Sequence, residues 1–189
     1  MTTTEQRISK PWSRLGDVVV YALGQLRTVM KIYPGIMHLL IFWGVIIQII
    51  GTAIKIMQMG LFVPFTWPLF SGPVYFIYEL VMDLAGVAIL IGVIMALIRR
   101  LAIRPDYMEN SWDDIYALIL LSLIPLVGFF TEGLRIIAWD PLWANWAPIG
   151  NWVAILLGTT SLTPTAAASL HSYMFIVHVL LGLLLAASI

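Results

Sequence analysis

GIMHLLIFWGVIIQIIGTAI, residues 35–54, carries no Asp, Glu, Lys or Arg. Wound as an α-helix at about 1.5 Å per residue, a stretch of this length matches the roughly 30 Å hydrocarbon core of a bilayer. A spanning segment at about 35–57 is the direct reading. Outward from it, predominantly apolar stretches of similar length mark spans at about 74–98, 114–137 and 166–189, of which the first two carry a few charged residues. Composition agrees: the 189-residue chain is 61% hydrophobic and only 11% charged, with a mean hydropathy of +0.96, far from a soluble domain. The expected fold is an all-α membrane protein, a four-transmembrane-helix bundle over 34–189. Residues 1–13 read as a polar cytoplasmic tail. Residues 14–33 hold one short apolar run, Val18 to Leu23, between Asp17 and Arg27, too short to span and expected to lie in the interface as an amphipathic helix.

Ten basic and ten acidic residues cancel, so no global field points to nucleic acid, and the placement of charge carries the information. With the N-terminus inside, Arg7, Lys10, Arg14, Arg27, Lys31, Arg99, Arg100 and Arg104 are cytoplasmic, leaving Lys55 and Arg135 near the outer face. Trp67, Trp139, Trp143, Trp146 and Trp152 then fall in the outer loops, at headgroup level. Asp113 and Asp114 open the third span, where negative charge suits a helix N-terminus. Pro125 is expected to interrupt that helix, and Glu132 and Arg135 are spaced to pair at i, i+3. The connection at 139–165 is expected to contain a short helix near WVAILLG. No internal repeat is visible, which argues against a small transporter. Cysteine is absent, which excludes disulfides and any iron–sulfur cluster held by thiolates of this chain.

The chain has three histidines, and each lies inside or at the lip of a span: His38 in the first, His171 and His178 in the last. An imidazole in hydrocarbon marks a ligand, a proton path or a buried hydrogen bond. Paired across two helices, imidazoles form the axial cage of a b-type haem iron, which makes His38 and His178 the candidate metal ligands and His171 a further cofactor contact. The competing reading is a helix-packing hydrogen bond. Depth bears on the pairing. His38 and Gln48 differ by about 15 Å along the first span, and the position level with His178 is nearer Gln48 than His38. His171 and His178 are seven residues apart on one face, so they do not clamp a single iron between them. Gly44 and Gly51 are small enough either to admit a porphyrin edge or to let helices pack closely. Gln48, Asp83 and Glu132 are candidates for quinone or proton contacts; Glu79 and Asp83 share one face of the second span.

Taken in order, YALGQLR, YPGIMHLLIFWGVIIQIIGT, MDLAGVAILIGVIMALIRR, RPDYMENSWDD, GFFTEGLRI, WAPIG and LHSYMFIVHVLLGLLLAASI resemble the cytochrome b membrane domain of heterodisulfide-reductase-related iron–sulfur oxidoreductases, which is similar to the gamma subunit of respiratory nitrate reductase. The likeness runs from about residue 14 to the end. It implies a multi-pass protein of a prokaryotic cell membrane that carries haem b between a quinone, menaquinone by preference, and a cytoplasmic iron–sulfur domain or subunit, separate or fused downstream. The catalytic iron–sulfur part would lie elsewhere than in this chain, and an electron-transfer flavoprotein is an expected further partner. By resemblance His38 and His178 match haem ligands, His171 a further family histidine, and Gln48 stands where the gamma subunit has a second ligand. The family's first membrane helix and its histidine-bearing tail have no counterpart here, so a piece of a larger polypeptide, or a chain whose remaining parts come from another subunit, is expected. The alternative class is a cofactor-free membrane anchor or assembly subunit of a redox complex.

Overall fold

The computed structural model describes residues 31–58, 72–103 and 112–188. The expected tail at 1–13 and nearly all of the expected interfacial helix at 14–33 lie outside them, as do Arg104 and Trp67. The described residues form α1 (Ile32–Gln58), α2 (Pro73–Ile98) running into a π-turn (Arg99–Ile103), α3 (Trp112–Trp139), a 3₁₀ turn (Ala144–Trp146), α4 (Pro148–Gly158) and α5 (Pro164–Ala187), with no strand among them. Four of these, α1, α2 with its π-turn, α3 and α5, are long and apolar enough to cross a membrane.

The helices stand in a row. α1 packs on α2, α2 on α3, and α3 on both α4 and α5, so α1 and α5 form the two flanks. The buried side chains accordingly belong chiefly to the middle pair: Ala85, Ile89 and Val93 of α2, and Leu120, Phe129, Leu134 and Ile136 of α3. The flanks expose large aliphatic residues, among them Ile49 and Ile50 on α1 and Ile176, Leu180 and Leu183 on α5. Such faces suit lipid or another apolar protein surface, because water would penalise them by roughly 25 cal/mol per Å² of apolar area.

α1 approaches α2 through a notch at Gly44. A Cβ there would meet Ile89 Cγ1 at 2.6 Å and the Ala85 carbonyl oxygen at 3.0 Å. Gly51 is filled likewise by Met82. Of the two uses open to these glycines, the structure shows close helix packing. α3 is continuous through Pro125, where an interruption was expected. The proline is buried within the bundle. In a spanning helix, neighbouring groups compensate the lost backbone donor, and breaking the helix there would expose more carbonyls to an apolar medium.

Two ends can be distinguished. One carries Arg99, Arg100 and Trp112; the other carries Lys55, Arg135, Trp139, Trp143, Trp146 and the start of α4.

Candidate functional site

The most polar part of the interior lies at the tryptophan end. Glu79 of α2 is only 5% exposed, and its carboxylate accepts from Arg135 Nη2 at 2.9 Å. The same nitrogen donates to Glu132 at 2.7 Å, the i, i+3 pair expected from the sequence. Arg135 Nη1 donates to the Tyr75 hydroxyl at 3.3 Å, and Lys55 Nζ of α1 donates to that hydroxyl at 2.7 Å. The guanidinium also lies over the Trp143 ring, 4.1 Å from its centroid. Two cations and two carboxylates from α1, α2 and α3 therefore meet around one phenol. Their formal charges cancel, and a low-dielectric setting tolerates such a cluster only when balanced in this way.

One turn along α2, Asp83 is equally buried and takes a different role. It accepts from the backbone N–H of Ile149 at 2.7 Å and of Gly150 at 3.4 Å. α4 begins with Pro148, and its own N-cap, Ala147, makes no side-chain cap. Asp83 supplies the missing acceptor from another helix, where helix-end amides and the macrodipole both favour a carboxylate. Gly150 brings α4 against the aliphatic part of Glu132. MDLAG, TEGLR and WAPIG, far apart in sequence, thus converge at one place.

Gln48 of α1 donates through Nε2 to the Met82 carbonyl of α2 at 2.8 Å. It also marks a layer through the middle of the row. A Cβ at Gly86 would lie 3.5 Å from Gln48 Nε2 and 2.7 Å from Phe129 Cζ. Gly128, beside Phe129, faces His178, whose Cε1 lies 3.1 Å from a Cβ built there. Gln48 and His178 therefore share a level, as the residue count along the two spans implied. His178 Nδ1 is buried and has no hydrogen-bond partner, and the ring lies near the backbone of Ile124.

His38 lies elsewhere. It is half-buried and stacks on Phe42 at 6.0 Å between centroids, near the level at which Met37 and Ile41 face Gly92. Ten residues separate it from Gln48, so about 15 Å of helix separates it from the His178 layer. It stands on one flanking helix and His178 on the other. The structure does not bring the two rings together. His171, further along α5 toward the tryptophan end, packs edge-on against Trp139 at 5.1 Å and stacks on Phe175 at 6.2 Å. Among the described residues, no group of three or more His, Asp or Glu side chains is arranged to hold a metal ion.

An axial cage for a single iron needs two imidazoles at one level, each about 2 Å from the metal. His38 and His178 do not fit that requirement as a pair. His178 alone shows a feature of a ligand: a buried ring nitrogen, Nδ1, without a hydrogen-bond partner.

Sequence reading singled out Glu132, Arg135 and Glu79 but missed Tyr75 and Lys55 as parts of the cluster. Spacing offered a partial signal, since Tyr75 and Glu79 are one helical turn apart; Lys55 comes from another helix and gives none.

No protein-family model and no solved structure matches the chain. The chain is similar to a protein of Syntrophomonas wolfei named EtfAB:quinone oxidoreductase, with 30% identity over 133 residues. The match covers 70% of this chain and 18% of that protein, so the chain spans less than a fifth of the length of the curated relative it matches.

Proposed function

We propose that the chain is the membrane-embedded, quinone-linked electron-transfer part of a larger redox assembly in a prokaryotic cell membrane. One observation supports this above all. In the middle of an apolar bundle His178 keeps Nδ1 buried and unpartnered, an arrangement that costs about 1–3 kcal/mol unless a ligand completes it. The similarity to a quinone oxidoreductase points the same way.

A b-type haem, when bound, supplies one-electron transfer between quinone and an iron–sulfur centre. His178 would offer its unpartnered Nδ1. His38, on a different level, would serve a second site and not the opposite face of the same one. Apolar side chains on either side exclude water. Glu132, in the balanced cluster with Arg135, Glu79 and Lys55, is the candidate for handling protons released from a quinol. Asp83 has both oxygens engaged by α4 and acts by positioning that helix. Gln48 is bound to backbone and acts in the same positioning sense. Menaquinone as substrate, an electron-transfer flavoprotein and a cytoplasmic iron–sulfur domain or subunit as partners, and a cytoplasmic N-terminus belong to the same proposal.

The test is the dithionite-reduced minus oxidised spectrum of the purified chain, expressed with haem supplied. A b-type α band that is lost in His178→Ala and kept in Ser169→Ala is the expected result. A band unchanged in His178→Ala refutes the ligand assignment. A colourless but folded wild-type protein favours the second reading, a cofactor-free anchor, for which the separation of His38 from His178 is the supporting observation.

A further inference from the structure

The connection between α3 and α5 does more than join them. The first turn of α4 lies beside Asp83, a point about 15 Å along α2 from its start at Pro73. The chain therefore dips back into the bundle after α3 and returns to the tryptophan end through α4, a helix of 11 residues. What fixes α4 there is slight. The amides of Ile149 and Gly150 bond to Asp83, and among the described residues α4 makes no other hydrogen bond to a spanning helix. The rest of its seat is smooth. Gly150 lies on the Cβ and Cγ of Glu132, and Gly133 of α3 lies under α4, where an added Cβ would meet Val153 Cγ1 at 2.7 Å and the Ala154 nitrogen at 3.0 Å. The opposite side of α4, with Trp152, Ile155 and Leu156, is exposed. Two bends bracket the segment: Asp140, with φ 41°, and Ser161, with φ 60°, are the only non-glycine residues of positive φ among the described residues. Side chains with a Cβ resist that region, and such residues cluster at hinges and clamps, held by their surroundings.

We infer that α4 is a lid over Glu132, latched shut by Asp83 and hinged at Asp140 and Ser161. With the lid shut, the Glu132 side chain is 20% exposed and bound to Arg135. Lifting α4 takes Gly150 off its methylene carbons and opens the carboxylate. The use assigned to the lid rests on the reading of Glu132 as the acceptor of hydroquinone protons: a lipid-dissolved diol reaches that carboxylate once α4 has moved, and closure then excludes water. The motion itself needs no cofactor.

The experiment keeps the full chain in phosphatidylcholine nanodiscs without haem or quinone. Dicyclohexylcarbodiimide, an apolar reagent for carboxyl groups, is added, and the rate of modification at Glu132 is read by peptide mass spectrometry beside backbone hydrogen exchange. In wild type the α4 amides should exchange faster than those of α2 and of α3 packed against it, as a locally opening unit does. Asp83→Ala should speed modification of Glu132 about tenfold, the worth of the lost acceptor for two amides, and Asp83→Asn less. Gly133→Ala, which lifts α4 without touching the latch, should speed it too and decides the matter if Asp83→Ala fails to fold. In each variant α4 exchange should rise by a similar factor, with α1, α2 and α5 unchanged. Equal protection of α4 and the spanning helices in wild type, faster α4 exchange with Glu132 modified at the wild-type rate, or a rise in exchange spread over α2 and α3 overturns the lid. A failed lid leaves the electron-transfer reading standing, and a missing b-type spectrum leaves the lid standing, so the two failures are distinguishable.

Discussion

Replacing Arg135 by methionine tests whether the cluster at the tryptophan end is held by charge balance. In the folded protein one guanidinium serves Glu79 at 2.9 Å, Glu132 at 2.7 Å and Tyr75 at 3.3 Å, and covers the Trp143 ring at 4.1 Å. Methionine fills much of the same volume but leaves two carboxylates facing a single cation, Lys55. Breaking a buried ion pair by removing one partner costs about 3–5 kcal/mol, and the lost contact with Trp143 adds about 0.5–2 kcal/mol. Proton uptake by one carboxylate caps the loss, since a desolvated acid neutralises before it stays charged and alone. The net expectation is a destabilisation of about 3–5 kcal/mol. Removing Glu132 as well, in Glu132→Gln/Arg135→Met, leaves Lys55 and Glu79 and restores neutrality. About 2 kcal/mol should be recovered relative to the sum of the single changes, within the range that coupled neighbours show.

The assay is reversible unfolding in mixed micelles with a rising fraction of dodecyl sulfate, followed by tryptophan fluorescence. Trp143 lies against the altered residue and reports the transition locally. A single variant within about 1 kcal/mol of wild type, or a double variant whose loss equals the sum of its parts, would refute the charge-balance argument, since additivity is the mark of sites that do not interact.

Three further outcomes follow from the packing. Gly44→Ala should destabilise the α1–α2 contact by about 1–3 kcal/mol, the cost of overpacking, because one of the atoms met is the Ala85 carbonyl, which cannot move independently of its helix; the same unfolding assay checks it. Asp83→Ala should leave the amides of Ile149 and Gly150 without their acceptor and cost about 1–3 kcal/mol, read as faster hydrogen exchange confined to α4, whereas Asp83→Asn keeps one acceptor oxygen and should lose less. Gly128→Ala presses on the His178 ring, whose Cε1 would be 3.1 Å away; a ring shift should appear in the imidazole NMR resonances while overall stability changes by about 1 kcal/mol or less, a small volume change at a yielding side chain.

The spans were legible because a bilayer imposes one simple demand, an uninterrupted apolar length, and the sequence meets it four times. The helix near WVAILLG was legible for a related reason: it is apolar but too short to cross. What the sequence did not reveal was the order of the helices in space. Apolar faces that meet lipid and apolar faces that meet another helix look alike in composition, so nothing in α1 or α5 announced that they stand on opposite flanks. Depth, by contrast, is nearly arithmetic. Counting residues put Gln48, and not His38, level with His178, and the contacts through Gly86, Phe129 and Gly128 agree. Pro125 misled because the rule that proline ends a helix comes from water, where freed carbonyls have solvent to turn to. The role of Asp83 was hidden as well, since its partners are backbone amides 66 and 67 residues away.

The row arrangement also limits how any planar group reaches His178. At that level Phe129 fills the notch at Gly86, so the space between α2 and α3 is closed by protein atoms. Gly128 lies against the imidazole itself, which leaves the α3–α5 groove and the outer side of α5 as the approaches. α5 is the least enclosed of the four spanning helices, with Ala167 alone fully buried among its described residues. A macrocycle on His178 would therefore need its second wall from beyond α5, whether lipid or another polypeptide. The same holds for His38 on the opposite flank. Any haem proposed on either histidine would thus lie across a boundary of this bundle, on the α5 or the α1 flank, and not in a cage between the two rings.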